Sequence, residues 1–541
     1  MATSERHSLL SGTIITSAGT LASRILGLVR DIATAALFGL AAGGVLDALV
    51  MAFRIPNLFR ALFGEGALTA SYLPVFTEAL HEDRRGGWRL FRATTLWLAR
   101  VLVVVTVVGE VGIAIWAWLM QADPHILLLA GLLAVLLPYL VFICLAAITS
   151  ATLQALGRFG PPAFAPAVLN VCWIAGAVIL APKLAGGTAG QAYVVATCIL
   201  VGGLLQWLVL WPALRREWAK LREEQTGEQK IDITQKRLRR IRRGMIPTIL
   251  ALTVTQLNTL SDSVVAWILA APRSGPATIS WLGDVAYPMK QGAVAAIYLG
   301  ERIYQFPLGL IGIAAATVAF PLLSRHAARG DRGAVAQDLT LGVRLVLLLA
   351  VPCAVGLVIL PEPIARLLYE HGQFTSEDVL RASRMIAVYG IAVWAYCALP
   401  VLVRGFYAMD DRITPLRVAV TVVALNLILD FTLIWPLAET GLAASTAISA
   451  VVQVAALALL FSKKHVRLVW RDLAVTAVRT VVASAVMGAA CLVVLKYIPA
   501  QNGTWNALLR VIAPMVAGAA TYLGILTIVG RSEWRDLRGP Q

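Results

Sequence analysis

Apolar residues fall in runs of about twenty, separated by short polar loops that are mostly basic. A helix of that length crosses the ~30 Å hydrocarbon layer of a bilayer. Backbone N–H and C=O groups find no water there, so each run must be a helix or a strand of a closed barrel. These runs are too long and too continuously apolar for barrel strands. The pattern therefore predicts an all-α polytopic membrane protein with about 14 transmembrane helices. Their expected limits are 9–38, 44–79, 90–120, 125–156, 163–182, 188–213, 244–271, 292–324, 334–360, 378–407, 414–435, 439–461, 473–495 and 505–529.

Loop charge orients the spans. The N-terminus, the turns at Arg84–Arg85 and Arg158, the segment 215–243 and the loop 325–332 are basic. So are the turn 404–417, the loop 463–471 and the C-terminus. The intervening loops hold few cations, such as Lys183, Arg273, Lys290, Arg366 and Lys496. The positive-inside rule then places both termini in the cytoplasm, as an even number of spans requires. The expected organisation is an N-terminal six-helix lobe (1–213), a basic cytoplasmic linker (214–243), a second six-helix lobe (244–461) and two further helices with a tail (462–541). A weak internal echo supports two lobes. Arg54-Ile-Pro-Asn-Leu-Phe-Arg60 precedes Leu73-Pro-Val-Phe as Arg302-Ile-Tyr-Gln-Phe-Pro307 precedes Phe320-Pro-Leu-Leu-Ser324. Paired repeats with a site at their interface are a common transporter plan.

Only 14% of the 541 residues are charged, against the quarter or so typical of soluble chains. The net charge of +16 sits in loops and comes with no nucleic-acid motif, so nucleic acid is not an expected partner. The six cysteines lie inside apolar runs without CxxC spacing and read as buried thiols. The N-terminus lacks a cleavable leader pattern, so the first span is expected to remain. No zinc, Ser–His–Asp or nucleotide-loop pattern occurs, and neither an enzyme nor an ATPase is expected.

Ionisable groups inside spans mark the candidate function, because burying them in lipid is expensive. The first two spans hold Arg24, Arg30, Asp31, Asp47, Arg54, Arg60 and Glu65, and the eighth adds Glu301 and Arg302. Arg24 and Asp31 are seven apart, on one helix face and able to support each other. Asp47 and Arg54 lie near enough to span ends to snorkel to the interface instead. Arg24, Arg30, Arg60 and Arg302 are the candidate substrate cations, with Asp31, Asp47, Arg54, Glu65 and Glu301 in support. Guanidinium forks match phosphate oxygens in two-point contacts, and a pyrophosphate fits a cluster of them. A second constellation comprises Asp262, Asn426, Asp430 and Thr446, with Asn426 and Asp430 on one helical face. Its oxygens suit Na⁺ or a carried H⁺ as coupling ion; ordinary interhelical hydrogen bonding is the alternative. No other cofactor is expected.

Specific motifs resemble the MviN/MurJ family of lipid II flippases, within the multidrug/oligosaccharidyl-lipid/polysaccharide exporter superfamily. They are Ser23-Arg-Ile-Leu-Gly-Leu-Val-Arg-Asp31, Phe38-Gly39, Asp47-Ala48, Phe53-Arg-Ile-Pro-Asn-Leu-Phe-Arg60, Glu65-Gly-Ala67 and Pro74-Val-Phe76. Arg302 with Phe306-Pro307, Phe320-Pro321, Gly372-Gln-Phe-Thr375, Gly405-Phe-Tyr407 and Thr414-Pro415 extend the likeness over essentially the whole chain. The resemblance implies a two-lobed bundle in the bacterial inner membrane, with a cationic cavity where Arg24, Arg30, Arg60 and Arg302 meet the pyrophosphate of lipid II. It also implies a groove for the polyprenyl tail on the last two helices, and transport by alternating access driven by an ion or the membrane potential. Implied partners are lipid II, membrane lipids and peptidoglycan synthases. Two features depart from the family pattern: the segment 272–291 is long, and Glu301 stands where Asp is expected. Alternative readings are a flippase for another polyprenyl-linked oligosaccharide, a cation-coupled drug exporter, and a scaffold recruiting synthases through 215–243.

Overall fold

The computed structural model describes residues 2–40, 44–62, 68–119, 124–222, 231–272, 278–501 and 503–529. The chain forms two compact units, Met1–Leu260 and Ser261–Gln541. Unit 1 contains α1 (Ala2–Phe38), α2 (Val45–Phe59), α3 (Leu68–Glu82), α4 (Arg84–Leu119) and α5 (Pro124–Leu136). It continues with α6 (Tyr139–Ala155), α7 (Gly160–Ala175), α8 (Ala181–Leu184), α9 (Thr188–Leu208) and α10 (Trp211–Arg222). The boundary between the units falls inside α11 (Ile231–Ile268). Unit 2 continues with a short hairpin of β1 (Thr278–Ile279) and β2 (Val285–Ala286), then α12 (Ala293–Pro307), α13 (Ala314–Ala328) and α14 (Arg332–Ile359). The remaining helices are α15 (Pro361–Tyr369), α16 (Ser376–Ile391), α17 (Val393–Ala408), α18 (Ile413–Leu437), α19 (Glu439–Lys464), α20 (Trp470–Tyr497) and α21 (Thr504–Val529).

Among the described residues, ten helical stretches are long and apolar enough to cross a membrane. The pair α16–α17, bent by 44° at Ala392, makes an eleventh. The other three expected spans are also helical, as α1, the α2–α3 pair and α11, and each holds a buried carboxylate: Asp31, Asp47 and Asp262. Across the expected span 44–79 the described residues form α2, a π turn over 60–62 and α3, and 63–67 lie outside the described residues. Pro56 lies inside α2, which passes into a π turn over 60–62. A missing proline N–H removes one rung of the ladder and favours such slippage. The same happens after Pro307, where α12 gives way to a π turn, Leu308–Ile313.

In unit 1, α7 packs between α1 and α9, while α3 lies on α4 and α6. Phe53 meets Trp173 edge-on at 4.8 Å, and the buried Tyr72 hydroxyl lies 2.9 Å from that of Thr152. The start of α11 belongs to this unit: Arg240 bridges to Glu78 of α3 at 2.8 Å, and Arg237 pairs with Glu82.

In unit 2, α14 is the central post, packed by α13, α16, α17 and α20. The α20–α21 pair closes on it through Leu348, Met487 and Tyr522, whose hydroxyl donates to the Leu348 carbonyl at 2.6 Å. The long segment before α12 is tied down by Arg381 of α16. Its Nη1 donates to the Gln291 carbonyl at 2.6 Å, and its Nε meets Glu439 at 2.7 Å. Gly292, at φ 88°, then turns the chain into α12 in a conformation that side chains rarely adopt.

Outside the spans, Asp411 ties the start of α18 to the end of α19. Burial alone would raise its carboxyl, but other groups outweigh it. The Thr414 N–H and hydroxyl donate to it, His465 lies 3.1 Å away and Lys464 is close, and together they hold it at about 2. Since this value lies below the unfolded one, ionised Asp411 stabilises the fold at neutral pH, by about 2 kcal/mol. That contribution fades as pH falls from about 4 towards 2. Asp411→Asn should lower the unfolding temperature in detergent at pH 7, with the gap to wild type closing in acid.

The helices approach closely at Gly312, where an added Cβ would stand 2.8 Å from the Cys397 Cα and 2.9 Å from its carbonyl oxygen. Backbone atoms cannot yield as a side-chain tip can. Gly312→Leu should destabilise unit 2 by about 1–3 kcal/mol. Gly112→Leu, which meets nothing within 4 Å, should stay within about 0.5 kcal/mol in the same thermal assay.

Candidate functional site

The expected cations of unit 1 divide into one that is locked and two that remain part-exposed. Arg30 is only 7% exposed, and its Nε and Nη2 both reach Asp31 Oδ1, at 2.9 and 2.7 Å. Its Nη1 donates to Asn170 Oδ1 at 3.2 Å, and the guanidinium carbon sits 4.4 Å from the centre of the Trp173 ring. Asn170 is itself oriented by a 3.1 Å bond from its Nδ2 to the Ser23 carbonyl. Asp31, 3% exposed, therefore serves Arg30 and not Arg24, the partner that helical spacing suggests. The side chain of residue 30 can curl back onto its neighbour, an approach that a face diagram does not register.

Arg24 and Arg60 are half-buried. Arg24 forms no ion pair among the described residues, and Arg60 Nε donates to the neutral Asn57 amide at 2.9 Å. Asp47 is buried in the packed face of α2 and does not reach the interface. Arg54 is half-buried and donates to the Thr259 carbonyl at 3.4 Å. Glu65 lies outside the described residues.

In unit 2, half-buried Arg302 is steered by its own helix. Nη2 donates to the Tyr298 hydroxyl at 2.7 Å and Nη1 to Gln305 at 3.0 Å, and the guanidinium carbon lies 4.5 Å from the Tyr298 ring centre. Both of these partners are neutral. Glu301, next to it in sequence, is buried and feels the charge of Asp262.

The second constellation comes together within unit 2. Asp262 of α11 is 1% exposed, and Asn426 and Asp430 of α18 are fully buried. Thr446 of α19 donates to Asp262 Oδ2 at 2.8 Å, and the Asp262 and Asp430 carboxyl groups lie close enough to feel each other's charge. Ser445 adds a donor to Asp430 Oδ1. Two adjoining carboxylates in a dry interior repel strongly unless a proton or cation lies between them. The oxygens of Asp262, Asp430, Thr446 and Asn426 suit either. No cluster of three or more His, Cys, Asp or Glu side chains fit to hold a metal occurs among the described residues, so any cation site here depends on neutral oxygens as well. Buried Tyr389 and Tyr396 flank the acids, with Tyr304 stacked on Tyr396 at 4.5 Å.

Sequence reasoning misses Asn170, Trp173, Tyr298 and Ser445. Asn170 offers a signal, as a lone amide in an apolar run, and Tyr298 stands four residues before Arg302 on the same helix face. Ser445 and Trp173 offer none, since serine and tryptophan are common in membrane helices.

A family model described as Lipid II flippase MurJ matches residues 34–512. A probable lipid II flippase MurJ of Vibrio cholerae serotype O1 is 33% identical, covering 96% of this chain and 96% of the relative. The lipid II flippase MurJ of Burkholderia cenocepacia is 30% identical, over 82% and 81% of the two chains. Among solved structures, a lipid II flippase MurJ in an inward closed conformation matches with TM-score 0.74 at 24% identity, covering 96% of this chain and all of that one. An inward-facing multidrug-resistance MATE transporter matches with TM-score 0.62 at 14% identity, over 85% and 98% of the chains; that likeness is one of fold.

Asp31→Ala should leave the Arg30 charge buried without its carboxylate and destabilise the protein by about 3–5 kcal/mol. The double replacement Arg30→Met with Asp31→Leu should recover most of that loss. Thermal unfolding in detergent decides the matter; equal stability of Asp31→Ala and wild type would mean that the pair holds nothing together.

Proposed function

The chain belongs to the MurJ family of lipid II flippases, and we propose that it carries a polyprenyl-pyrophosphate-linked peptidoglycan precursor from the inner to the outer leaflet of the bacterial cytoplasmic membrane. The observation that carries this reading is a set of part-exposed arginines on helices otherwise made for lipid. They are Arg24 and Arg60 in unit 1 and Arg302 in unit 2. A pyrophosphate cannot enter hydrocarbon bare, because an ion without water or partners is too costly there. Arg60 donates to an amide and Arg302 to a phenol and an amide, and guanidinium groups oriented in this way match phosphate oxygens and replace their water. Arg30, already paired with Asp31, is not among them. The task needs no covalent step, and the polyprenyl tail can remain in lipid while the headgroup crosses.

Transport proceeds by alternating access, with the cationic site open first to one side of the membrane and then to the other. Asp262, Asn426, Asp430 and Thr446 would hold Na⁺ or H⁺, which would cancel the charge of the carboxyl pair. An ion that binds one conformation better than another biases the equilibrium towards it. The loop charges set both termini in the cytoplasm. A drug exporter for organic cations is disfavoured, since part-exposed arginines on the spans favour an anionic guest.

The test is complementation: a bacterium depleted of its own lipid II flippase receives this chain, and survival and outward accessibility of lipid II are followed with membrane expression checked. Wild type should rescue. Arg24→Ala and Arg302→Ala should each lower transport about 10–100-fold, the range for losing a charge-assisted hydrogen bond. Asp262→Asn should bind the lipid normally but lose dependence on the ion gradient. A well-expressed wild type that fails to rescue would point to a different polyprenyl-linked sugar, and rescue by both arginine variants would overturn the cationic site.

A further inference from the structure

A pocket of about 520 Å³ lies within unit 1, and none of the candidate arginines or acids lines it. It is walled by Phe91 of α4, Trp207 of α9, and Trp211 and Trp218 of α10. The α10 positions 211, 214, 215, 218 and 219 all line it, which is the spacing of one helix face. Trp207 and Trp211 meet edge-on at 5.6 Å, so the wall is pre-packed. The volume is within the range of small-molecule sites. Its helices begin and end at the loops 84–85 and 215–243, the face that loop charge assigns to the cytoplasm.

Two cations line the same pocket. Arg92 and Arg215 are exposed, and neither forms an ion pair among the described residues. Arg215 lies over the Trp211 ring, 5.5 Å from its centre. Among the described residues, Glu217 beside the pocket is already engaged with Arg158 at 2.8 Å. The pocket therefore offers an apolar, tryptophan-lined interior and two exposed guanidinium groups without an ion pair among the described residues. At the level of lipid headgroups, that combination selects an amphiphile with an apolar body and one anionic phosphate.

We propose that this pocket is a binding site for an anionic diacyl phospholipid of the inner leaflet. An acyl chain fills the aromatic interior, and the phosphodiester meets Arg92 and Arg215. Two exposed cations match a singly charged phosphodiester. A pyrophosphate carries more charge and calls for several donors at once, so the transported lipid is the poorer fit. A bound lipid here would lock α10 against α4 and so brace the segment that leads from unit 1 into α11.

The test uses the full chain in phosphatidylcholine nanodiscs containing a phosphatidylglycerol with a photoreactive acyl chain, with labelled peptides mapped by mass spectrometry. Label should fall on 91–96 and 207–219. Unlabelled phosphatidylglycerol should compete about tenfold better than phosphatidylcholine, the order expected for two cations near the headgroups. The double variant R92Q/R215Q should bring that ratio close to one while leaving the unfolding temperature in phosphatidylcholine unchanged. Should the variant fail to fold, the wild-type competition ratio decides alone. Equal competition by the two phospholipids, or absence of label from these segments, overturns the proposal. Preferential competition by a polyprenyl pyrophosphate also overturns it and makes the pocket a waiting station for the transported lipid. Rescue of a flippase-depleted strain is scored separately, so the transport reading survives or fails independently.

Discussion

The cost of placing charge in a low-dielectric interior is the constraint on which the rest of this structure depends. Hydrocarbon forces the backbone into helices, because no other fold satisfies every N–H and C=O within a span. The same medium then penalises each ionisable side chain that those helices carry. The chain meets the penalty in different ways. Arg30 is cancelled outright by Asp31, with Asn170 and Trp173 filling its remaining faces. Arg302 is held in part by a phenol and an amide of its own helix, which orient it.

The acid pair of unit 2 follows the same rule with the sign reversed. Asp262 of α11 and Asp430 of α18 are both buried and feel each other's charge beside buried tyrosines. A static structure gains nothing from that proximity, since replacing such groups by well-packed apolar residues is often neutral or stabilising. An arrangement that becomes comfortable only when a cation or proton arrives suits a coupling site, and Thr446 and Ser445 hold the carboxyls in place for it.

Helix breaks mark where this chemistry is concentrated. Pro56 precedes Arg60, which opens the π turn over 60–62, and the π turn after Pro307 follows Arg302 within the same span. Freed rungs let a helix bend and aim a side chain that a straight rod would carry past its target. Close approach adds to this: Gly312 lets its turn sit directly on the backbone of α17. The clamp of Arg381 on Glu439 and the Gln291 carbonyl fixes the entry to α12, and so the register of the helix that bears Arg302.

Hydropathy and loop charge by themselves determined that the chain is a polytopic helical membrane protein, where its spans lie and which of them carry charge. These features are local, and a single helix in lipid expresses them whatever its neighbours do. The motif around Arg24 and Arg60 sufficed for the family, and the spacing of Asn426 and Asp430 marked one face of α18. Only the tertiary structure decided which charges are cancelled. Arg30 meets Asn170 across 140 residues, and Thr446 meets Asp262 across 184. Asp31 turned to Arg30 and left Arg24 without it, because side-chain reach and the packing of α7 on α1 outweigh helical spacing. The Arg381 clamp and the tryptophan pocket were equally hidden. Each depends on how far-apart segments pack, and hydropathy averaged along the chain carries no record of that.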